Sequence, residues 1–350
     1  MESPLISVII LNYNYSRFLP DCIGNALAQD WPNKEVIVVD DCSTDHSREI
    51  IGKYGGQVIS VLQPQNRGHG AGMNAGFARS KGSIVIFLDA DDYLYPKAMR
   101  RIVESQVPGA AQYQYRLDLL DTDGRVVDTY PPKEFVWEDG DVTNALLTRG
   151  RYSTTVTSGL AFSRPALDCI MPMDEQAFRQ GGDGYLVTVA PFYGPVVTID
   201  EVLGAYRQHG ANHSQFGAAL DECVRWRITH DISRYRALTS HAQRHGRKTI
   251  PDPWQNDSLH LEGRMASLLL NPVRHPDARD TRAAIAGRGL AACQSLPMSR
   301  KRREFMMLWW KIVGWGPLPL ARAALRWKLQ AASRPLVVKR IAKLVRLATG

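Results

Sequence analysis

The stretch Ile-Val-Ile-Phe-Leu-Asp-Ala-Asp-Asp, residues 84–92, decides the fold. Five consecutive apolar residues, rich in β-branched side chains, make a strand that must be covered on both faces. Asp89, Asp91 and Asp92 follow at once. Runs of the same apolar kind stand upstream at residues 5–11, 35–39 and 57–62. Between them residues 18–29, 47–54 and 70–80 carry helical spacing, and the last of these is Ala/Gly-rich enough to lie close against a sheet. This β-α-β-α-β rhythm predicts an α/β fold with a doubly wound, mainly parallel sheet.

In such sheets ligands bind beyond the carboxyl ends of the strands. Those ends read Asn12-Tyr13-Asn14, then Asp40-Asp41-Cys42-Ser43-Thr44-Asp45, then Asp89-Ala90-Asp91-Asp92, so acidic and aromatic groups gather at one edge. Downstream, Asp121-Thr122-Asp123-Gly124 predicts a hairpin turn within residues 109–132. Residues 154–163 predict a further strand, and a helix is expected to begin near Asp183 or Gly184. Beyond about residue 217 the pattern is helical, broken at residues 249–254 and 271–280. The expected division is a catalytic domain at 1–216 and a mostly helical C-terminal region at 217–350.

A chain of 350 residues with 44% hydrophobic and 22% charged residues is long enough for one α/β domain and a smaller unit. Its five cysteines, Cys22, Cys42, Cys169, Cys223 and Cys293, are scattered, odd in number and without a CxxC pair. That argues against a disulfide framework or zinc site and predicts a reducing, cytoplasmic setting. The apolar run at 5–11 lacks a basic lead and cleavage site, so it reads as a strand and not a signal peptide. The net charge of +8 is uneven: residues 301–350 hold twelve Lys/Arg against Glu304 alone, a local +11 that leaves −3 for the rest. Such asymmetry predicts a basic C-terminal segment that meets an anionic surface.

Three carboxylates at a strand exit are costly to leave unpaired, and a divalent cation would neutralise them. Hard oxygen ligands favour Mg²⁺ or Mn²⁺, reached through one or two carboxylates while substrate phosphates complete the shell. The structural alternative is a helix cap in a solvated loop. Asp40 and Asp41 could accept hydrogen bonds from a base or ribose, or cap the next helix; Tyr13 offers a flat face to a nucleobase or a lid to the core.

The ordered blocks SVIILNYN, VIVVDDCSTD, QNRGHGAGMNAGFARSKG and IVIFLDADD resemble family 2 glycosyltransferases of the GT-A fold, over residues 5–100 and more weakly to about 215. The resemblance implies an inverting transfer from a nucleotide-sugar, with UDP as the family-based choice of nucleotide. Tyr13 would pack on the base, Asp41 would bind it, and Asp40 would lie close to the nucleoside. Asp91 would be the main metal ligand, with Asp89 and Asp92 on the ribose or on metal-bound water. The loop and helix that carry Asn66, Arg67, Gly68, Asn74 and Gly76 would sit beside the nucleoside. Within Gly181-Gly182-Asp183-Gly184, Asp183 occupies the place of the catalytic base; Gly182 stands where the family often has Glu. The alternative for Asp183 is a helix cap. Ser158-Gly159 resembles the small-residue turn that lets the acceptor approach. Tyr206-Arg207-Gln208-His209, with Asn212 and Ser214, resembles the closing motif, with Arg207 as a diphosphate contact and His209 as a metal ligand.

The acceptor implied is a hydroxyl of a glycan or a lipid-linked saccharide. The Lys/Arg-rich stretches at 301–315, with Trp309, Trp310 and Trp315, and at 337–347 read as interfacial helices on an anionic membrane, or alternatively as a helical subdomain whose apolar faces pack on the catalytic domain or on another subunit. Two other functions compete. A nucleic-acid-binding protein would explain the basic tail but not the acidic strand ends, and no nucleic-acid motif is present. A nucleotidyltransferase would need a Gly-rich basic loop after the first strand, where Asn12-Tyr13-Asn14-Tyr15 stands.

Overall fold

Residues 6 to 89 alternate as β1 (Ile6–Asn12), α1 (Leu19–Leu27), β2 (Lys34–Asp40), α2 (Ser47–Lys53), β3 (Ile59–Leu62), α3 (His69–Arg79) and β4 (Ile84–Asp89). The strands lie in parallel in the order β3-β2-β1-β4, with Asn12 beside Asp40 and Leu11 beside Asp89. Every residue of β1 is buried because helices cover both faces. Val8 and Ile10 share a core with Leu19, Cys22, Ile23 and Ala26, the stripe that α1 presents at i, i+3, i+4 and i+7. Ile9 and Leu11 point the other way, toward α3. There Gly76 permits contact so close that a Cβ would stand 2.2 Å from Ile9 Cγ2.

This computed structural model describes residues 3–209, 220–250, 252–296 and 298–329. Beyond β4 come β5 (Tyr93–Leu94), α4 (Ala98–Glu104), β6 (Gln112–Leu120), β7 (Val126–Tyr130), α5 (Thr143–Arg149), β8 (Leu160–Ser163), α6 (Arg164–Ile170), α7 (Gly182–Val189) and β9 (Val196–Arg207). Here the sheet turns mixed: β8 is antiparallel to β4 and β6, while β9 runs parallel to β6 and antiparallel to β5. The hairpin between β6 and β7 turns on the Asp121 carboxylate, which accepts the N–H groups of Asp123 and Arg125. The strand expected over 154–163 keeps only its last four residues. Residues Thr157–Gly159 instead form a 3-10 turn that carries Ser158 to the end of β4.

The chain divides into one unit of Met1–Asn144 with Ser153–His209 and another of Ala145–Tyr152 with Gly210–Gly350. The expected boundary at 216 falls among residues 210–219, outside the described ones. The second unit is helical: α8 (Leu220–Arg244), α9 (Ser258–Leu270), α10 (Arg282–Ser295), α11 (Arg300–Trp315) and α12 (Leu318–Leu329). Ile228, Leu261, Met265, Trp310, Val313 and Leu325 form its core. The breaks expected near 249–254 and 271–280 hold only short 3-10 turns at Pro253–Gln255 and Pro272–Arg274.

Deep in the same unit Asp231 pairs with Arg234, His260 and Arg151, and Asp257 accepts from Arg151 and from the Tyr235 hydroxyl. Burial opposes the charge on Asp231, yet Arg151, His260 and Arg234 hold its carboxyl far below the ordinary range. Among the described residues no helix is long and apolar enough to cross a membrane. α11 has two apolar faces: Trp309, Trp310 and Val313 are buried, whereas Phe305, Leu308 and Trp315 are exposed. Residues 337–347 lie outside the described residues.

Candidate active site

The three strand ends meet as their registers require, but not every carboxylate there is open to a ligand. Asp40 is fully buried and accepts from Asn12 Nδ2 at 2.8 Å, Ser43 N at 3.0 Å and Arg48 Nε at 2.8 Å. Burial pushes its pKa up, and these partners more than offset that, leaving it below the ordinary value. Every bond described for Asp40 is internal and joins the ends of β1 and β2 to α2. Asp41 is nearly buried and takes Gln63 Nε2 at 3.1 Å, Arg67 N at 2.8 Å and Gly68 N at 2.7 Å, so it shapes the 66–68 loop. Tyr13, the residue after β1, is 44% exposed.

At the end of β4 the same division holds. Asp92 is fully buried, accepting from Ser158 Oγ at 2.6 Å and Arg207 N at 3.0 Å, and burial with the charges of Asp91 and Asp89 drives its pKa well up. Its two oxygens tie β9 and the 157–159 turn to the end of β4. Ser158, read from sequence as an acceptor-side turn, accepts from Asp89 N at 3.2 Å on the same hydroxyl. Asp89 keeps a partly exposed carboxylate, bonded to His69 Nε2 at 3.2 Å.

Asp91 stands 2.9 Å from His209 Nε2. Burial raises its carboxyl above the ordinary range, with His209 pulling it down and Asp89 adding to the push. His209 is wedged between Tyr15 and Phe18, with ring centroids at 5.6 and 4.9 Å. Tyr15, not singled out from the sequence, has its hydroxyl pKa raised by burial and by the charges of Asp91, Asp89 and Asp92. Arg207 lies over Phe18 and Tyr93 and bonds Asp21 Oδ2 at 2.8 Å and the Asp91 carbonyl at 3.3 Å. The diphosphate contact expected of Arg207 would require it to leave those partners. Asn212 and Ser214 lie outside the described residues.

Among the described residues no three His, Cys, Asp or Glu side chains form a ready metal cage. The Asp91–His209 pair nonetheless fits an Mg²⁺- or Mn²⁺-sized ion. A carboxylate and an imidazole are donors that such an ion accepts, and the 2.9 Å hydrogen bond between them would have to open for it to enter.

Asp183 stands on a separate element, in the first turn of α7. It does not cap that helix: the cap position is Gly181, in the left-handed region at φ 68°, which has no side chain to fill the role. The segment before α7 is clamped to α3. Asn74 Nδ2 donates to Met173 O at 2.9 Å and its Oδ1 accepts from Met173 N at 2.9 Å, while Arg67 pairs with Glu175. His69 N donates to Arg179 O at 2.7 Å, and Gly70 N to Phe178 O at 3.1 Å. The motif spanning residues 66–76 thus grips the segment that presents Asp183. Contacts between residues a hundred positions apart carry no local signal, so this task was not readable beforehand.

Comparison with known proteins gives a consistent result. The sequence model described as glycosyl transferase family 2 matches residues 7–168. An uncharacterized glycosyltransferase of Nostoc sp. is 37% identical over 222 residues, covering 61% of this chain and 68% of that protein. The succinoglycan biosynthesis protein ExoO of Rhizobium meliloti is 31% identical over 133 residues, 37% of this chain and 38% of its own length. Among solved structures, residues 1–349 of Staphylococcus aureus TarS in complex with UDP-GlcNAc share the fold at a TM-score of 0.51. That match has 17% identity and covers 93% of this chain and 92% of that one.

Proposed function

The chain belongs to glycosyl transferase family 2 and is a glycosyltransferase of the GT-A fold, and from that premise we propose that it moves a sugar with inversion from a UDP-sugar to a hydroxyl of a glycan or lipid-linked saccharide. The observation that carries the reading is the separation of two acidic sites. Asp91 pairs with His209 just beyond β4, whereas Asp183 stands in the first turn of α7, a separate element. A single displacement needs that division, because the group that takes the acceptor proton and the groups that hold the leaving diphosphate work on opposite faces of the anomeric carbon. UDP is favoured by the TarS complex with UDP-GlcNAc, and a polysaccharide product by the role named for ExoO.

In this mechanism Tyr13 stacks on the base, and Asp41 holds Gln63 and the 66–68 loop as the wall beside it. Asp91 and His209 would hold Mg²⁺ or Mn²⁺, which when bound would offset the charge on the departing diphosphate. Asp89 would reach the ribose or water at the ion. Asp92 and Ser158 fix the β4 end, and Arg207 steadies the aromatic pocket around His209. Asp183 accepts the hydroxyl proton.

The test is Asp183→Asn. As base, its loss should lower turnover by about 10²–10⁴-fold, with donor affinity by calorimetry near wild type. A variant that keeps more than about a tenth of wild-type turnover contradicts the role. The donor itself is chosen by a thermal-shift screen of UDP-, GDP- and dTDP-sugars with and without Mn²⁺.

An anionic membrane is the further partner we assign to the exposed face of α11. Phe305, Leu308 and Trp315 share that face with the partly buried Ile312, and the exposed Arg300, Lys301, Arg302 and Lys311 supply positive charge near it. Aromatic side chains beside basic ones suit the headgroup region of acidic lipids.

A further inference from the structure

We propose that His69 is a positioning residue that sets the catalytic base against the donor-side carboxylates, an inference that rests on the reading of Asp183 as the base. The imidazole touches both sides of the site. Its Nδ1 accepts the backbone N–H of Gly182 at 3.1 Å, and its Nε2 stands 3.2 Å from Asp89 Oδ1. Because Nδ1 receives a proton donor, the ring's own proton sits on Nε2 and is given to Asp89. One side chain thus links Asp89, two residues before Asp91, to Gly182, the residue before Asp183.

Few side chains could do this. Lysine or arginine would set a donor against the Gly182 N–H, and serine or asparagine is too short to span both partners. The backbone around His69 leaves no slack to absorb a substitute. A Cβ on Gly68 would lie 2.2 Å from Arg179 O, one on Gly70 2.5 Å from Phe178 O, and one on Gly182 2.8 Å from Met73 Sδ. Gly68 also adopts φ 89°, a conformation glycine favours. The start of α3 and the start of α7 are therefore seated backbone to backbone. The His69 ring is the side-chain link that carries this seating on to the carboxylates of β4.

A displacement of a reacting group by about 1 Å can cost ~10²-fold in rate. His69→Ala should thus lower turnover by about 10–100-fold on the nucleotide-sugar selected by the thermal screen, while the affinity for UDP with Mn²⁺ changes by less than about threefold. Glutamine offers an amide oxygen for Gly182 and an amide N–H for Asp89, so His69→Gln should recover much of the loss. A thermal midpoint near wild type confirms that the variants are folded; should the alanine variant not fold, His69→Asn, too short to bridge, takes its place.

The decisive measurement is the double-mutant cycle with Asp183→Asn. If His69 acts through the base, His69→Ala should cost less than about threefold more once Asp183 is gone. A full penalty in the Asp183→Asn background overturns the proposal. So does a loss that falls on UDP affinity, or unchanged turnover in His69→Ala. Wild-type turnover in Asp183→Asn alone would instead overturn the base reading, and the coupling with it.

Discussion

Asp91 and Asp92 differ by one step along the chain, yet Asp91 meets the imidazole of His209 while Asp92 is closed over by Ser158 and the end of β9. Their replacement by asparagine should have opposite consequences. Asp91→Asn removes a charged oxygen ligand at nearly constant volume. It should weaken Mn²⁺-dependent UDP binding by at least the ~10–100-fold that loss of an outer-shell partner costs, and calorimetry with and without EDTA reads the difference. Asp92→Asn should act on stability. Burial and its acidic neighbours raise the Asp92 pKa in the native state, so the native state favours the protonated carboxyl. That preference is present in full below the unfolded value of about 3.9 and is lost as pH rises through the folded value. The asparagine variant should therefore match wild type near pH 4 and gain in thermal midpoint as pH rises toward 8. A gap that shrinks with rising pH would exclude an uncomfortable charge at Asp92.

At the scale of elements, the approach of α3 to the sheet is the feature most exposed to a single methyl. Gly76→Ala drives a Cβ to 2.2 Å from Ile9 Cγ2 inside a packed layer, and should cost about 1–3 kcal/mol. Gly24→Ala, within α1 and with nothing inside 4 Å of its added Cβ, should instead gain up to about 1 kcal/mol from helix propensity. Denaturant midpoints of the two variants check the contrast, and a shift of the same sign in both would refute the packing argument. The elements of this half were legible because their signals are local. Apolar runs at 5–11, 35–39 and 84–88 became β1, β2 and β4 with ends moved by a residue or so, and Ala/Gly content forecast the close seating of α3. The positions of Asp41 and Asp91 just past strand ends, and of Asp183 at a helix start, were legible. Which carboxylates stay accessible was not. Asp40 and Asp92 are closed by Arg48, Ser158 and the return of β9, and the alternation along 154–163 gives no hint that the chain turns at Ser158 before its strand begins.

Across the whole molecule the charge imbalance seen in composition has a structural counterpart in α11. Removing the chain after Arg300 would also remove Trp310, Val313 and Leu325 from the helical core, so it cannot separate membrane contact from folding. Substitution on the exposed face can. Phe305→Gln, Leu308→Gln and Trp315→Gln together should leave the thermal midpoint within a few degrees of wild type and sharply reduce sedimentation with vesicles containing phosphatidylglycerol. Binding to pure phosphatidylcholine should be weak for both proteins, and salt should weaken what wild type shows on the anionic vesicles. Equal sedimentation of the two proteins with anionic vesicles would remove the membrane assignment.

The segment Ala145–Tyr152 belongs with the helical unit although the chain returns afterwards to the sheet, and its Arg151 supplies charge to a site whose acids are Asp231 and Asp257. During synthesis Arg151 leaves the ribosome 80 residues ahead of Asp231 and 106 ahead of Asp257. At about 5–20 residues per second, the first partner follows after roughly 4–16 s and the second later still. The helical unit is thus assembled from two instalments of nascent chain. Its acidic centre, made in the second, is completed by an arginine that has been waiting since the first.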